Sequence, residues 1–459
     1  MRIIRGGGRS MQAEGLTRKL AAQAAAYRYD TLPAEAAFMA RQCLLDFLGV
    51  TFAGAKEPLT GILHEEALGE GGNPQASLIG LPGKVTASQA ALINGSASHA
   101  LDYDDVQLFM MGHPSVPVAP AVLALAELYG KSGREVIAAF VAGFETECRI
   151  GAAVSPSHYA AGWHATATLG CFGAAAAAAN LLQLDAEQTA VALGIAGTQA
   201  SGFKSMFGTM CKPFHAGHAA MSGLLAARLA AKGFTSRPDV LEVEQGFGET
   251  QSKGLKPEAA LAEPKGGSHI RGALFKYHAA CYLTHSSLEA SHALRRQHDL
   301  RPENIREVRV MVDKGHLRVC NIPEPATGLE TKFSLRMTTA FALTGLDTAS
   351  IETYSDENAN RPDLMALRDK VRVEVHNKPD AQESEVIIGL SDGRSLALSA
   401  NVGVPASDLG AQWEKLQNKF YAIATPVIGK GRAQELTAAI NDLESIGNFA
   451  DLAPLLQAA

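Results

Sequence analysis

Residues 165–184, ATATLGCFGAAAAAANLLQL, carry no charged side chain and consist mostly of alanine, glycine and threonine. The run is about as long as a bilayer span. Its small side chains, with Asn180 and Gln183 near the end, fit better with a helix buried inside a protein by close backbone packing. A helix that is apolar all round needs other helices to surround it.

The first 260 residues supply them. Apolar positions recur at helical spacing over 34–54, which closes on Gly54, and again over 133–154. Residues 116–130, 170–184, 186–202 and 216–232 are Ala- and Leu-rich with the same period, and no strand alternation interrupts them. After about residue 265 the pattern changes. IREVRVMV (305–312), KVRVEVHN (370–377) and two runs either side of Ser391, Asp392, Gly393 and Arg394 alternate with period two, and Asp-Gly between such runs signals a hairpin. Helical stretches at 284–296, 332–344 and 362–369 lie between the strands, and helix returns from Asp408 onward.

The predicted fold is therefore mainly α with a smaller α+β domain. Residues 1–12 are read as a disordered extension, 13–265 as the helical domain, 266–405 as an α+β lid, and 406–459 as helices packing back on the helical domain. Such an arrangement leaves a cleft between domains.

The formal charge of -6 argues against nucleic acid or a membrane as partner, since either calls for clustered lysine and arginine. A small anion needs only a local positive pocket. The six cysteines show neither a CxxC nor a zinc-ligand spacing, which fits reduced thiols and a cytoplasmic setting.

The chemistry gathers in SHALDYDDVQLFMMGHPS, residues 98–115. His99 and Asp102 are three apart and would share a helix face, with Asp104 and Asp105 in the turn that follows. Crowded carboxylates raise the pKa of at least one of their number toward a useful acid or base range. The alternative is that the three aspartates end one helix and cap the next loop. His113 is restrained by Pro114 and suits a general base, although a histidine before proline is also a common turn residue. A metal held by His99, Asp102 and His113 finds no zinc or calcium ligand spacing to support it.

Two further stretches share this character. AGWHATATLG sets Trp163 and His164 before a small-residue helix start, where backbone N–H groups favour an anion. GTMCKPFHAGHAA places Lys212 ahead of another such helix, while His215 and His218 read as core histidines satisfied by carbonyls.

HALDYDD followed by GHPS, GWHATATLG, GTMCKPFHAG, FKYHAACYLTH and KFSL, in this order, resembles the MmgE/PrpD family over residues 20–450. The resemblance implies a helical domain with an α+β lid, a homodimer, and a site between the domains. It also implies a cofactor-independent enzyme, without metal, that makes or quenches a carbanion beside a carboxylate of a small di- or tricarboxylic acid. On it, Lys212 and Lys276 bind substrate carboxylates, His113 and His164 move protons, and Asp102 orients His113. His99, Cys281, Tyr282 and His285 are candidates for substrate binding, and Cys281 is either a second acid or base or a core thiol.

The implied activity is a lyase of the 2-methylcitrate dehydratase type, with an epimerase of the iminodisuccinate type as alternative and a non-catalytic binding protein as a second. Decarboxylation of cis-aconitate is disfavoured by Val106 and Cys281, where that branch carries threonine and histidine. The first motif and the lid motif also lack the dehydratase wording, and GWHATATLG and GTMCKP look closest to the epimerase branch.

Overall fold

The computed structural model describes residues 15–458; the extension expected at 1–12 lies outside them. The run that opened the sequence reading forms Ala165–Leu181, and every residue in it is buried. Ser115–Tyr129, Gly133–Val154, Ala186–Gly197 and Cys211–Ala231 pack about it, with Ala87–His99 and Ala34–Gly54 in the next layer. Ala34–Gly54 is long and apolar enough to cross a membrane, but its most apolar window is 89% buried within this core.

Several helix starts are written locally. Thr86, Ser132 and Asp185 each form a capping box with the Gln or Glu three residues on. Cys211–Ala231 begins five residues before the apolar period suggests. Lys212 and Pro213 occupy its first turn, where the N–H that proline lacks has no intrahelical partner anyway. Ala186–Gly197 ends earlier than expected, and the helical region also contains a two-residue strand pair, Ala76–Ser77 with Lys84–Val85.

A four-stranded sheet makes the second part, in the order Val371–Val375, Ile305–Val312, Glu383–Leu390, Ser395–Asn401. The first pair is parallel and the others antiparallel, with Val310 set between Val373 and Val386. A register shift between Ile305 and Glu307 breaks the alternation, which brings Ile305, Val308, Val310 and Val312 all inside. His285–His298 and Leu335–Thr344 contribute the other side of this core.

Leu409–Ile428 returns to Ala34–Gly54. There Lys419 and Asp46 form a buried pair at 2.6 Å, and the same ammonium donates to the Tyr103 carbonyl at 2.7 Å. Val50, Ala53, Tyr103 and Ile423 from the helical side belong to the second core, so the two parts share apolar surface beneath the aspartate-rich turn.

Candidate active site

Helix packing brings the first two groups together. Gly95 of Ala87–His99 lies against Gly217 of Cys211–Ala231, and a Cβ on Gly95 would stand 2.7 Å from the Gly217 Cα. Backbones this close need glycine. The close approach lies four residues before His99 and five after Lys212, so both side chains reach the same end of the pair.

The turn after His99 then folds back. Asp102 is in the left-handed region, at φ 51°, and its N–H donates to the His99 carbonyl at 3.2 Å. His99 ends its helix and Asp102 lies beyond it, so the two do not share a helix face; the left-handed turn presents Asp102 to the cleft. Aspartate tolerates this conformation better than most residues.

Asp102 holds two cations. Lys212 Nζ lies 2.9 Å and Lys276 Nζ 3.0 Å from its Oδ1. Burial pushes the Asp102 carboxyl upward, but Lys212, Lys276 and His113 outweigh it and hold the group well below the ordinary carboxylate range. Lys276 is pulled down by burial and up by Asp102 and Asp104, and ends raised.

Asp104 holds two imidazoles. His99 Nδ1 is 3.0 Å from either of its oxygens, and His113 Nδ1 is 2.9 Å from Oδ2. Asp102 is farther from His113, at 3.6 Å from Nε2, so the carboxylate that orients His113 is Asp104 and not Asp102. Burial raises Asp104, and the two histidines reverse this and bring it well below the ordinary range. Burial lowers His99 to about 4 despite Asp104. A neutral His99 donating from Nδ1 to an ionised Asp104 keeps an acceptor lone pair on Nε2. That nitrogen is buried and has no protein partner.

His164 precedes the first turn of Ala165–Leu181, its N–H fixed on the Gly202 carbonyl at 3.0 Å. Its ring stacks 5.8 Å from His99, and its Nδ1 faces His215 Nδ1 at 3.1 Å. One of that pair must donate and the other accept. Burial, with the charges of His99 and Lys212, drives His164 far below the usual histidine range. His215 therefore pairs with a site histidine and not with a carbonyl, while the half-buried His218 packs its ring against Phe214.

Of the three aspartates in this turn, Asp105 is the one whose pKa rises, to about 8. Burial is the main cause, opposed by Ser115 and reinforced by Asp46 and Asp104. Ser115 donates to it from its hydroxyl at 2.6 Å and its N–H at 3.3 Å, so Asp105 also caps the helix Ser115–Tyr129. The raised carboxylate and the helix cap, alternatives in the sequence, thus meet in the one residue Asp105.

A cleft of about 420 Å3 opens over this assembly between the helical part and the lid. His99, Asp102, Lys212, Cys281 and Lys332 line it. Lys332, the first residue of KFSL, escaped the sequence reading because one lysine in a motif is indistinguishable from a solvated one. Tyr282 and His285 are not in the wall: Tyr282 donates to the Val402 carbonyl at 2.6 Å, and His285 Nε2 lies 3.2 Å from the Ala280 carbonyl. They follow Cys281 in sequence, but the chain turns into Tyr282–Thr284 and His285–His298 and carries them behind the wall.

His99, Asp102, Asp104 and His113 offer ligand atoms within 4.8 Å of one another and could in principle hold a metal ion. The two ammonium groups on Asp102 oppose a third cation there. The same charges suit an anion that displaces Asp102 from one or both lysines.

Fold and site define a two-part protein, a helical body and an α+β lid with a lysine- and histidine-rich cleft between them. The profile of the MmgE/PrpD N-terminal domain matches residues 18–260 and that of the C-terminal domain residues 278–445, so the chain belongs to the MmgE/PrpD family. It is similar to cis-aconitate decarboxylases. It is 28% identical to that of Aspergillus terreus (strain NIH 2624 / FGSC A1156) over 476 residues, which covers 96% of this chain and 95% of the relative. It is 27% identical to that of Mus musculus over 442 residues, covering 91% and 88%.

Proposed function

We propose that this protein is a cofactor-independent lyase that forms or quenches a carbanion next to a carboxylate of a small di- or tricarboxylic acid. The observation that carries the reading is the convergence of Lys212 and Lys276 on one carboxylate oxygen, beside a neutral histidine with a free Nε2. A substrate carboxylate entering the cleft meets Lys212 in its wall and, on displacing Asp102, the buried Lys276 behind it. They stabilise the charge that develops as the α-proton leaves, and fixed cations in a water-poor site do this without reorganising. An imidazole backed by Asp104 takes or returns the proton, in the manner of a carboxylate-oriented general base. His113 and His164 are the proton-moving pair in this reading, and His99, one ring away from both, completes the relay.

The named relatives support a tricarboxylic acid as substrate class. Val106 is tied by its backbone to Leu274, and Cys281 occupies the cleft wall. In the family resemblance these two positions depart from the decarboxylase branch, and the first and lid motifs depart from the dehydratase branch, so the D2O experiment below decides between loss of CO2 and loss of water. The Cys281 thiol, in the same wall as Asp102 and Lys212, also favours an epimerase as second reading.

The test is incubation in D2O with cis-aconitate, citrate, 2-methylcitrate, iminodisuccinate, malate and the tartrates, followed by NMR. Deuterium entering the carbon beside a carboxylate of one acid is expected, and an alkene, CO2 or inverted centre names the reaction. A folded protein silent across the panel would overturn the proposal for these acids.

A further inference from the structure

Cys281 and Cys320 are brought together by one strip of backbone. The Cys281 N–H donates to the Lys332 carbonyl at 3.0 Å, and the Leu335 N–H donates to the Cys320 carbonyl at 2.9 Å, so residues 332–335 fix both cysteines. The Ile322 N–H on the Phe333 carbonyl, at 3.1 Å, holds the Cys320 side of the same strip. Cys281 packs against the lid core that contains Cys320, and each thiol shifts the ionisation of the other. Their surroundings differ. Cys281 is partly exposed and lines the substrate cleft, whereas Cys320 is fully buried in the lid core.

We propose that Cys281 and Cys320 are a reversible oxidation site, in which a small peroxide entering the cleft oxidises Cys281 and buried Cys320 closes the disulfide. The Cys281 sulfur attacks one peroxide oxygen, the O–O bond breaks, and a sulfenic acid and one water form. The Cys320 sulfur then attacks the sulfenic sulfur, the S–O bond breaks, and hydroxide leaves with the Cys320 proton as a second water. Each sulfur loses one electron and the peroxide gains two. An external dithiol reverses the step by thiol–disulfide exchange.

Reactivity at Cys281 has physical causes. The neighbouring Cys320, the Leu283 N–H and the nearby Lys276 lower its pKa against burial and Asp102, while the Cys320 thiol donates to the His316 carbonyl at 3.5 Å. Oxidation follows thiolate character and access. Cys43, Cys148 and Cys171 are buried, and burial raises all three. Oxidation takes the thiol out of the cleft wall and ties that wall to the lid core, five residues from Lys276 in sequence.

The test treats the full-length protein with a few equivalents of hydrogen peroxide, alkylates remaining thiols in denaturant, and maps the peptides. Two of the six cysteines are expected to become inaccessible, in a linked peptide joining Cys281 to Cys320 that dithiothreitol releases. Cys320→Ser should carry Cys281 on to sulfinic acid, which dithiothreitol does not reverse. Oxidation confined to Cys211, or sulfinic acid at Cys281 without a link in the unaltered protein, would overturn the pairing. The consequence for turnover rests on the function proposed above. Loss in proportion to the link supports it, and full turnover in fully linked protein overturns it. Because the peptide map needs no substrate, it answers the chemical question even if that function fails.

Discussion

Imidazoles gather twice in this chain, with opposite results. On the cleft side His99, His113, His164 and His215 form a chain of neighbouring rings, the closest pair 4.6 Å apart. On the lid side His278 lies 5.6 Å from His292 and 5.0 Å from His285. The lid group ends largely on neutral partners. The Thr348 hydroxyl lies 2.7 Å from His278 Nδ1 and 2.8 Å from His292 Nε2, and His285 meets a carbonyl. Asp104 of the cleft group lies within 3.0 Å of two imidazoles, whereas the lid carboxylate Glu289 stands 3.5 Å from His278 Nε2; each group leaves one buried Nε2 without a hydrogen-bond partner, and that of His99 is the one beside the cleft lysines. Partners, and not the number of histidines, separate a packed cluster from one that can move protons.

The largest expected contrast is kinetic. His113→Ala or Lys212→Ala should lower kcat/KM by about 10³-fold or more on whichever acid is turned over, while circular dichroism stays unchanged. His292→Ala should stay within about threefold, because its partner is a hydroxyl outside the cleft. An equal loss in His292→Ala would erase the distinction between the clusters.

Asp104→Asn probes the carboxylate that defines the cleft group. It should cost about 10²–10³-fold in kcat with little change in KM, since Asp104 positions two imidazoles without touching substrate. It should also shift the pH–rate profile, which a merely structural residue would not do.

Proton linkage gives a third contrast, in stability. A carboxyl whose folded pKa is raised contributes stability that is full below its unfolded value and is lost as pH rises to the folded value. For Asp105 that window runs from about 4 to about 8. His99 has the opposite shift, so its contribution is full above about 6.5 and is lost as pH falls toward about 4. His292, at about 4, loses stability over the same acid range, so acid lability belongs to both clusters. Between the two clusters, loss as pH rises from about 4 to about 8 belongs to the cleft side. Asp105→Asn should flatten the decline between pH 4 and 8, on the order of a few kcal/mol, in denaturant titrations at stepped pH.

The sequence made much of this legible because the relevant forces are local. Ala34–Gly54, Gly133–Val154 and Ile305–Val312 fall where periodicity places them, since burial on one face or on all sides writes itself into spacing. What escaped depends on contacts distant in sequence. His215 became a site residue only because Cys211–Ala231 sets its ring against His164. Asp104 and Asp105 are adjacent and chemically identical in the sequence, yet one is held ionised by two histidines and the other kept protonated by burial. That sorting is decided by neighbours reached through a left-handed turn at Asp102, which no period announces.

The smallest effect sharpens the comparison from the lid side. Thr348→Val keeps the shape of the side chain but removes the hydroxyl that faces His278 and His292. His278 Nε2 is already 3.5 Å from Glu289, too long for a good hydrogen bond, so the change leaves His278 without a close polar partner. Leaving a buried polar group unsatisfied costs about 1–3 kcal/mol. Urea titration should therefore show a loss of ~1–2 kcal/mol, with kcat and KM unchanged within about twofold. A stability loss without a kinetic one is what a cluster closed on itself must give. If kcat fell tenfold instead, the lid histidines would be coupled to the cleft through Tyr277 and Lys276, and the two groups would be one network.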